Sequence, residues 1–429
     1  MKLKVGKKEG LQGEINVPGD KSISHRAIIL AALAEGESKV EGFLESEDCL
    51  STIYAFEKLG VEILHKKENE YIVKGVGLQG LKEPEDTLNC RNSGTTMRIM
   101  QGLLAAQNFY TVLTGDDSLR KRPMNRIINP LTKMGGKIWS REGGYAPLSI
   151  QGQSISGLDY KLPVASAQVK SSILMAGLYS KERVKIVEPA LSRDHTERML
   201  SGFGINIKKA GNTITLPPED NKKLFPQEIK VPSDISSAAF FITAALITKN
   251  SELLIKDVGI NPTRIGFIEV VKKMGGNIKL FNIREVSGEP IADIKVKSSS
   301  LKGVEISGDL IPKMIDEIPI AAVLASQAEG ETVIKDAAEL RVKETDRIYA
   351  LVSQLSKLGV EIKELEDGLV IKGPNQIRGG VTVDSFGDHR IAMSLAVAGL
   401  RAESEIKVAN SQVINNSFPG FKELLFSLK

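Results

Sequence analysis

Lys21 and Arg26 bracket two serines in the run Gly19-Asp20-Lys21-Ser22-Ile23-Ser24-His25-Arg26, which passes straight into the apolar stretch Ala27-Ile28-Ile29-Leu30-Ala31-Ala32-Leu33. Pro18 and Gly19 interrupt what comes before, so this reads as a helix start with Ser22 or Ser24 as the cap. Cations in a first turn oppose the helix dipole. Free backbone amides and two cations at such a start form a receptor for phosphate or carboxylate. Taken alone, the same residues also read as a solvated basic cap.

Other stretches repeat the theme. Asn92-Ser93-Gly94-Thr95-Thr96-Met97-Arg98 pairs hydroxyls with Gly94, which lets a ligand approach the backbone amides. Arg120-Lys121-Arg122 precede Pro123 in a loop or first helical turn. Ser166, Gln168 and Lys170 open a third helix with groups suited to a phosphate or sugar-like hydroxyls. Ser192-Arg193-Asp194-His195-Thr196-Glu197 starts another, with capping the natural role and Arg193 the open question. In the second half, Asp316 and Glu317 stand at a helix entrance, where aspartate is a favoured cap. In Arg341-Val342-Lys343-Glu344-Thr345-Asp346-Arg347, a helix would put Lys343 and Arg347 on one face, where they repel and a bound anion would relieve them. Glu344 among these cations is placed to give and recover a proton. Phe386-Gly387-Asp388-His389-Arg390 sets one more arginine on a first turn. Each case alone is bland; the recurrence of a cation at helix N-termini is not.

These starts must be held by a repeating scaffold. An amphipathic helix, a glycine turn and a short strand recur around Gly60, Gly135, Gly204, Gly275 and Gly359. The glycine fits a left-handed helix end. Copies fall roughly 70 to 85 residues apart, suited to a βαβαββ unit. A second set of helices, apolar nearly all round and so expected to be buried, starts near Ser22, Ser93, Ser166, Ser233, Ile315 and Asp388. Six units suggest two domains of three. Val17-Pro18-Gly19-Asp20 and Val231-Pro232-Ser233-Asp234 are near copies and mark two crossovers. The expected division is 19–230 against 1–18 plus 231–429, hinged at 17–21 and 230–234.

The remaining composition narrows the function classes. The chain has 429 residues, enough for more than one full core. Aromatic content is 5% with Trp139 the single tryptophan, which disfavours a nucleic-acid stacking platform. Net charge is +4, which suits small anionic partners. Cys49 and Cys90 lie in unrelated contexts and imply neither a disulfide framework nor a metal motif. No signal peptide and no membrane span are expected, so the expected setting is the cytoplasm.

With these residues assembled, the chain resembles the enolpyruvyl transferases, and within them the branch acting on 3-phosphoshikimate. The resemblance runs the whole length and rests on GDKSISHR at 19–26, NSGTTMR at 92–98, ASAQVKS at 165–171, RVKETDR at 341–347 and GDHRIAM at 387–393. It implies an α/β fold, a two-lobed inside-out α/β barrel of six βαβαββ repeats, three per domain, with helices inside and sheets outside. It implies that domain 19–230 mainly binds phosphoshikimate, and that the other domain carries phosphoenolpyruvate contacts and the acid and base. Lys21, Ser22, Arg26, Ser166, Ala167, Gln168, Arg193, Asp316 and Lys343 would bind 3-phosphoshikimate. Lys21, Gly94, Arg122, Gln168, Arg347 and Arg390 would bind phosphoenolpyruvate. Asp316 would take the proton of the attacking 5-hydroxyl, and Glu344 would protonate the methylene carbon, with Lys21 close to both substrates. The implied reaction is addition followed by elimination of phosphate, without metal or organic cofactor, by a monomer whose closing lobes dry the cleft. Glyphosate would compete with phosphoenolpyruvate.

Three variations qualify the resemblance. Ala167 stands where some members have serine, which moves phosphate binding elsewhere, to Lys170 or Arg193. Asn415-Asn416-Ser417-Phe418-Pro419 lacks a lysine that some members carry there. Gly94 is retained where herbicide-tolerant members carry alanine. Of the rivals, the sister enzyme acting on UDP-N-acetylglucosamine needs a cysteine before the Arg-Pro pair, and residues 115–123 have none. An RNA-binding module like the repeats of RNA 3′-phosphate cyclases conflicts with the few aromatics. A catalytically dead arm of a fused pathway protein conflicts with the intact acid and base candidates.

Overall fold

The two Val-Pro-x-Asp segments each deliver an aspartate to a helix start. Asp20 accepts the Ile23 N–H at 2.9 Å and Asp234 accepts the Ser236 N–H at 2.9 Å. The cap of Lys21–Leu33 is therefore Asp20, not Ser22 or Ser24; Ser24 Oγ accepts the Leu44 N–H at 3.0 Å instead. The reason is position: Asp20 precedes the first turn, whereas the serines already lie inside it.

The computed structural model describes residues 2–429. The described chain divides into two units, one of residues 2–18, 232–285 and 290–429 and the other of residues 19–231 and 286–289. This differs from the sequence division in two ways. The second crossing falls after Val231, and the hairpin tip 286–289 goes with the unit of 19–231.

In the unit of 19–231, three buried helices, Lys21–Leu33, Gly94–Ala105 and Ala167–Gly177, carry most of the core. Three four-stranded sheets accompany them. Each has a parallel edge pair followed by antiparallel neighbours. In the first, Glu228–Lys230 lies parallel to Glu35–Glu41, which pairs antiparallel with Glu70–Val76 and, beyond it, Glu62–Lys67. The more polar helices Glu47–Lys58, Asn125–Lys133 and His195–Gly202 bury one face each.

The other unit repeats the plan with Ile235–Ile247, Ile318–Ser326 and His389–Gly399 as buried helices. Every residue of the first two is buried, as their apolar sequences require. Burying each such Leu, Ile or Phe stabilises the fold by about 1.5–3 kcal/mol, so the core has no need of the charged helix starts. The N-terminal segment serves two sheets here. Gln12–Ile15 runs parallel to Glu252–Gly259, while Lys2–Val5 pairs antiparallel with Ile406–Ala409 and completes the three-stranded last sheet. The sixth repeat lacks its own glycine phrase for this reason: the chain's first strand replaces the hairpin.

The recurrent glycines do close helices in the left-handed region. Gly60 (φ +87°) and Gly359 (φ +85°) end Glu47–Lys58 and Arg347–Lys357, and the other three copies match. Three local expectations fail. Lys343 and Arg347 do not share a helix: a 3₁₀ turn spans Ala338–Val342, residues 343–346 are not helical, and the helix starts at Arg347 behind its cap Asp346. Asp316 is not the cap residue; it sits in the turn between Leu310–Met314 and Ile318–Ser326, and Glu317, which holds the cap position of the latter, makes no side-chain capping bond. Asp194 makes no capping bond either, because Arg198 and Lys209 take its carboxylate, both at 3.0 Å.

Candidate functional site

In the unit of 19–231, the starts of the three buried helices come together through side-chain contacts. Arg26 is buried, and each part of its guanidinium has one partner: Nε donates to Thr196 Oγ1 (2.6 Å), Nη2 to Ser171 Oγ (2.7 Å) and Nη1 to the Ser22 carbonyl (2.8 Å). Burial, opposed by Glu197, lowers its pKa to about 10, which still leaves it charged at neutral pH. Lys21 pairs with Asp48, and Arg193 Nη1 donates to Ser22 Oγ at 3.4 Å. His25 points into the protein against Thr52 Oγ1 (2.7 Å). Burial, then Lys21 and Arg26, hold its pKa well below the usual histidine range, so it is neutral.

Gly94 lies under two guanidiniums. A Cβ there would stand 3.0 Å from Arg98 Nη1 and 3.4 Å from Arg122 Nη1. Arg122 is held by Asn92 Oδ1 (2.9 Å) and Ser118 Oγ (3.1 Å). Arg98 donates to Gln168 Oε1 (2.7 Å), and Gln168 Nε2 donates to Thr95 Oγ1 (3.0 Å), which ties the second helix start to the third. Ser166 caps the third helix through the Val169 N–H, with Ala167 in its first turn. Lys21, Ser22, Arg26, Gly94, Arg122, Ser166, Ala167, Gln168 and Arg193 thus line connected helix starts. Lys170 does not belong with them: it is fully buried between Glu188 and Glu197, so it is closed to a phosphate.

In the other unit, Arg347 is the hub. Its Nε donates to Asp388 Oδ2 (2.8 Å), Nη2 to Glu344 Oε2 (2.6 Å) and Nη1 to Asp316 Oδ1 (3.3 Å). Burial alone would lower its pKa, but the carboxylates of Asp388, Glu344 and Asp316 outweigh that and raise it. Arg390 Nη1 donates to the Asp316 carbonyl (3.0 Å), and its Nε lies 3.9 Å from Asp316 Oδ1. Lys343 stands close to Asp316; burial, then Arg347, lowers its pKa against the pull of that carboxylate. Glu317 is wholly buried, bonded to Ser236 and 3.7 Å from Arg264, whereas Asp316 keeps 17% of its side chain open. Of the adjacent acids, Asp316 is the one available for chemistry.

Asp388, Arg98, Asn92 and Thr196 lie in stretches picked out from the sequence but had no role of their own there, and Asp48 was not picked out at all. Asp388 had a local signal as the residue before a helix: its Oδ1 caps His389–Gly399 through Arg390 N (2.8 Å) while Oδ2 holds Arg347. Arg98 also had one, four residues after Gly94 on a helix. The others are set by tertiary contact alone.

Each of the two groups of helix-start cations can hold a small polyanion, and the group around Arg347 also carries the carboxylates of Asp316, Glu344 and Asp388. The family model for EPSP synthase (3-phosphoshikimate 1-carboxyvinyltransferase) matches residues 5–425. The chain belongs to the EPSP synthase family. It is 55% identical over 431 residues to the 3-phosphoshikimate 1-carboxyvinyltransferase of Petrotoga mobilis, covering all of both chains. It is 52% identical to that of Brevibacillus brevis over 99% of each. The EPSP synthase structure from Acinetobacter baumannii superposes with a TM-score of 0.90 at 46% identity, covering 100% of this chain and 98% of that one. The enolpyruvyl transferase NikO from Streptomyces tendae, at 16% identity and TM-score 0.80, shares the fold over 99% of this chain and 96% of its own. The expected enolpyruvyl transferase architecture is thus the one observed. No helix among the described residues is long and apolar enough to cross a membrane.

Proposed function

We propose that this chain transfers the enolpyruvyl group of phosphoenolpyruvate to the 5-hydroxyl of 3-phosphoshikimate, releasing 5-enolpyruvylshikimate 3-phosphate and phosphate in the shikimate pathway. The observation that carries this is the full-length 55% identity to a 3-phosphoshikimate 1-carboxyvinyltransferase. Phosphoshikimate is assigned to Lys21, Ser22, Arg26, Ser166, Ala167, Gln168, Arg193, Asp316 and Lys343. Phosphoenolpyruvate is assigned to Lys21, Gly94, Arg122, Gln168, Arg347 and Arg390. The cluster around Arg347 supports the chemical roles. Glu344 protonates the methylene carbon, which leaves oxocarbenium character at C2. The 5-hydroxyl oxygen bonds to C2 as its proton passes to Asp316, giving a tetrahedral intermediate. Loss of a methyl proton to the Glu344 carboxylate then re-forms the double bond as the C2–O bond to phosphate breaks, and the proton held by Asp316 leaves with the departing phosphate.

The pairing of Glu344 with Arg347 bears on the first step. A ligand anion that takes over the guanidinium would release the Glu344 carboxyl from its ion pair with Arg347. The free buried thiols of Cys49 and Cys90 suit a reducing cytoplasm. The direct experiment is phosphate release on mixing 3-phosphoshikimate and phosphoenolpyruvate. Release is expected with both together and with neither alone. Release with UDP-N-acetylglucosamine as acceptor, and none with 3-phosphoshikimate, would overturn the assignment.

A further inference from the structure

Lys170 follows Gln168 and Val169 in the helix Ala167–Gly177, yet its side chain is fully enclosed. Its Nζ lies 2.9 Å from Glu188 Oε2 and 2.7 Å from Glu197 Oε1, and both carboxylates are buried with it. Burying one cation with two carboxylates is a poor way to gain stability, since well-packed apolar side chains would do as well or better. The neighbours of the three residues suggest another purpose. Glu188 also accepts the Ser192 hydroxyl, which fixes the residue beside Arg193. Ser171 follows Lys170 and binds Arg26 Nη2; Thr196 precedes Glu197 and binds Arg26 Nε; the two hydroxyls are 2.6 Å apart.

We infer that the Lys170–Glu188–Glu197 triad is a positioning device for the phosphoshikimate subsite. It locks the helix bearing Ala167 and Gln168 to the loop of Arg193 and to the helix of Thr196, and so aims Arg26 and Arg193 at the ligand. The inference rests on the proposed function for the identity of that ligand. Lys170 touches no substrate in this scheme; it acts through the two arginines.

The test is steady-state kinetics on Lys170→Met, Glu188→Gln, Glu197→Gln and Lys170→Met/Glu197→Gln, varying each substrate and recording the thermal midpoint. The expected result is a KM for 3-phosphoshikimate raised about tenfold in each single variant, with the phosphoenolpyruvate KM within about twofold and the double variant no worse than its poorer parent. Glu188→Gln keeps an acceptor for Ser192 and leaves Lys170 paired with Glu197, so it supplies the reading should Lys170→Met fail to fold. Lowered thermal midpoints with both KM values unchanged would reduce the triad to a structural feature and overturn the inference. A KM rise in Lys170→Met with none in either glutamine variant would mean direct contact with the substrate, and overturn it too. Absence of turnover in the wild-type protein would instead show, before any variant is compared, that the underlying functional reading is wrong.

Discussion

Arg347 Nη2 stands 2.6 Å from Glu344 Oε2 while Nη1 of the same guanidinium stands 3.3 Å from Asp316 Oδ1, so one buried cation touches both the proposed acid and the proposed base. Glu344→Gln preserves the shape and an acceptor for Arg347 but has no proton to exchange with carbon. It should lower kcat by about 10²–10⁴ with little change in the KM of either substrate. Asp316→Asn should lower kcat over the same range. Phosphate release under saturating substrates measures both, and a kcat within tenfold of wild type for either variant would remove that residue from its role.

Lys343 should contribute to the alkaline limb of activity. Its proton is held less firmly than that of an ordinary lysine because of burial, so phosphoshikimate binding should weaken with rising pH before the usual lysine value of 10.5 is reached. Arginine at this position stays charged, so Lys343→Arg should move the limb upward. The KM for 3-phosphoshikimate against pH decides it. A limb unmoved by the substitution would assign it to another group.

Gly94→Ala should weaken phosphoenolpyruvate more than phosphoshikimate. The added methyl would stand 3.0 Å from Arg98 Nη1 and 3.4 Å from Arg122 Nη1, and Arg122 has little room to yield because Asn92 and Ser118 hold it. A phosphoenolpyruvate KM raised about tenfold, the equivalent of one weakened charge-assisted hydrogen bond, is expected. Glyphosate should inhibit the wild-type protein competitively with phosphoenolpyruvate at saturating 3-phosphoshikimate, and less strongly after the substitution. Equal inhibition of both proteins would contradict this geometry.

A stability prediction concerns Asp293, far from any proposed ligand in the sequence. Burial disfavours its charge, but the Asp257 N–H (3.0 Å), Asn282 Nδ2 (2.9 Å) and Lys256 (2.9 Å) outweigh that and hold its pKa at about 2. A depressed carboxylate pKa contributes stability that is complete above the unfolded value near 3.8 and is lost as pH falls towards 2. Asp293→Asn should therefore cost about 1 kcal/mol at pH 7, allowing for screening by nearby solvent. The difference in urea midpoints should shrink as the pH is lowered to about 3. A gap that persists there would point to packing and not charge.

Much of this was legible in the chain because the information is local. The glycine-closed helices, the apolar inner helices and the paired Val-Pro-x-Asp crossovers depend on residues within a few positions of one another, so periodicity and turn chemistry reveal them. The candidate ligand residues were legible for the same reason: a cation beside a helix start is a short-range pattern. What sequence could not decide was who partners whom. Asp316 against Glu317 as the open acid turns on Ser236 and Arg264, which come from segments distant in the chain. Lys170 makes the point most plainly. Its place beside Gln168 suggested a phosphate ligand, but Glu188 and Glu197 are brought to it only when separate elements pack, and burial then changes a basic side chain from a receptor into a brace.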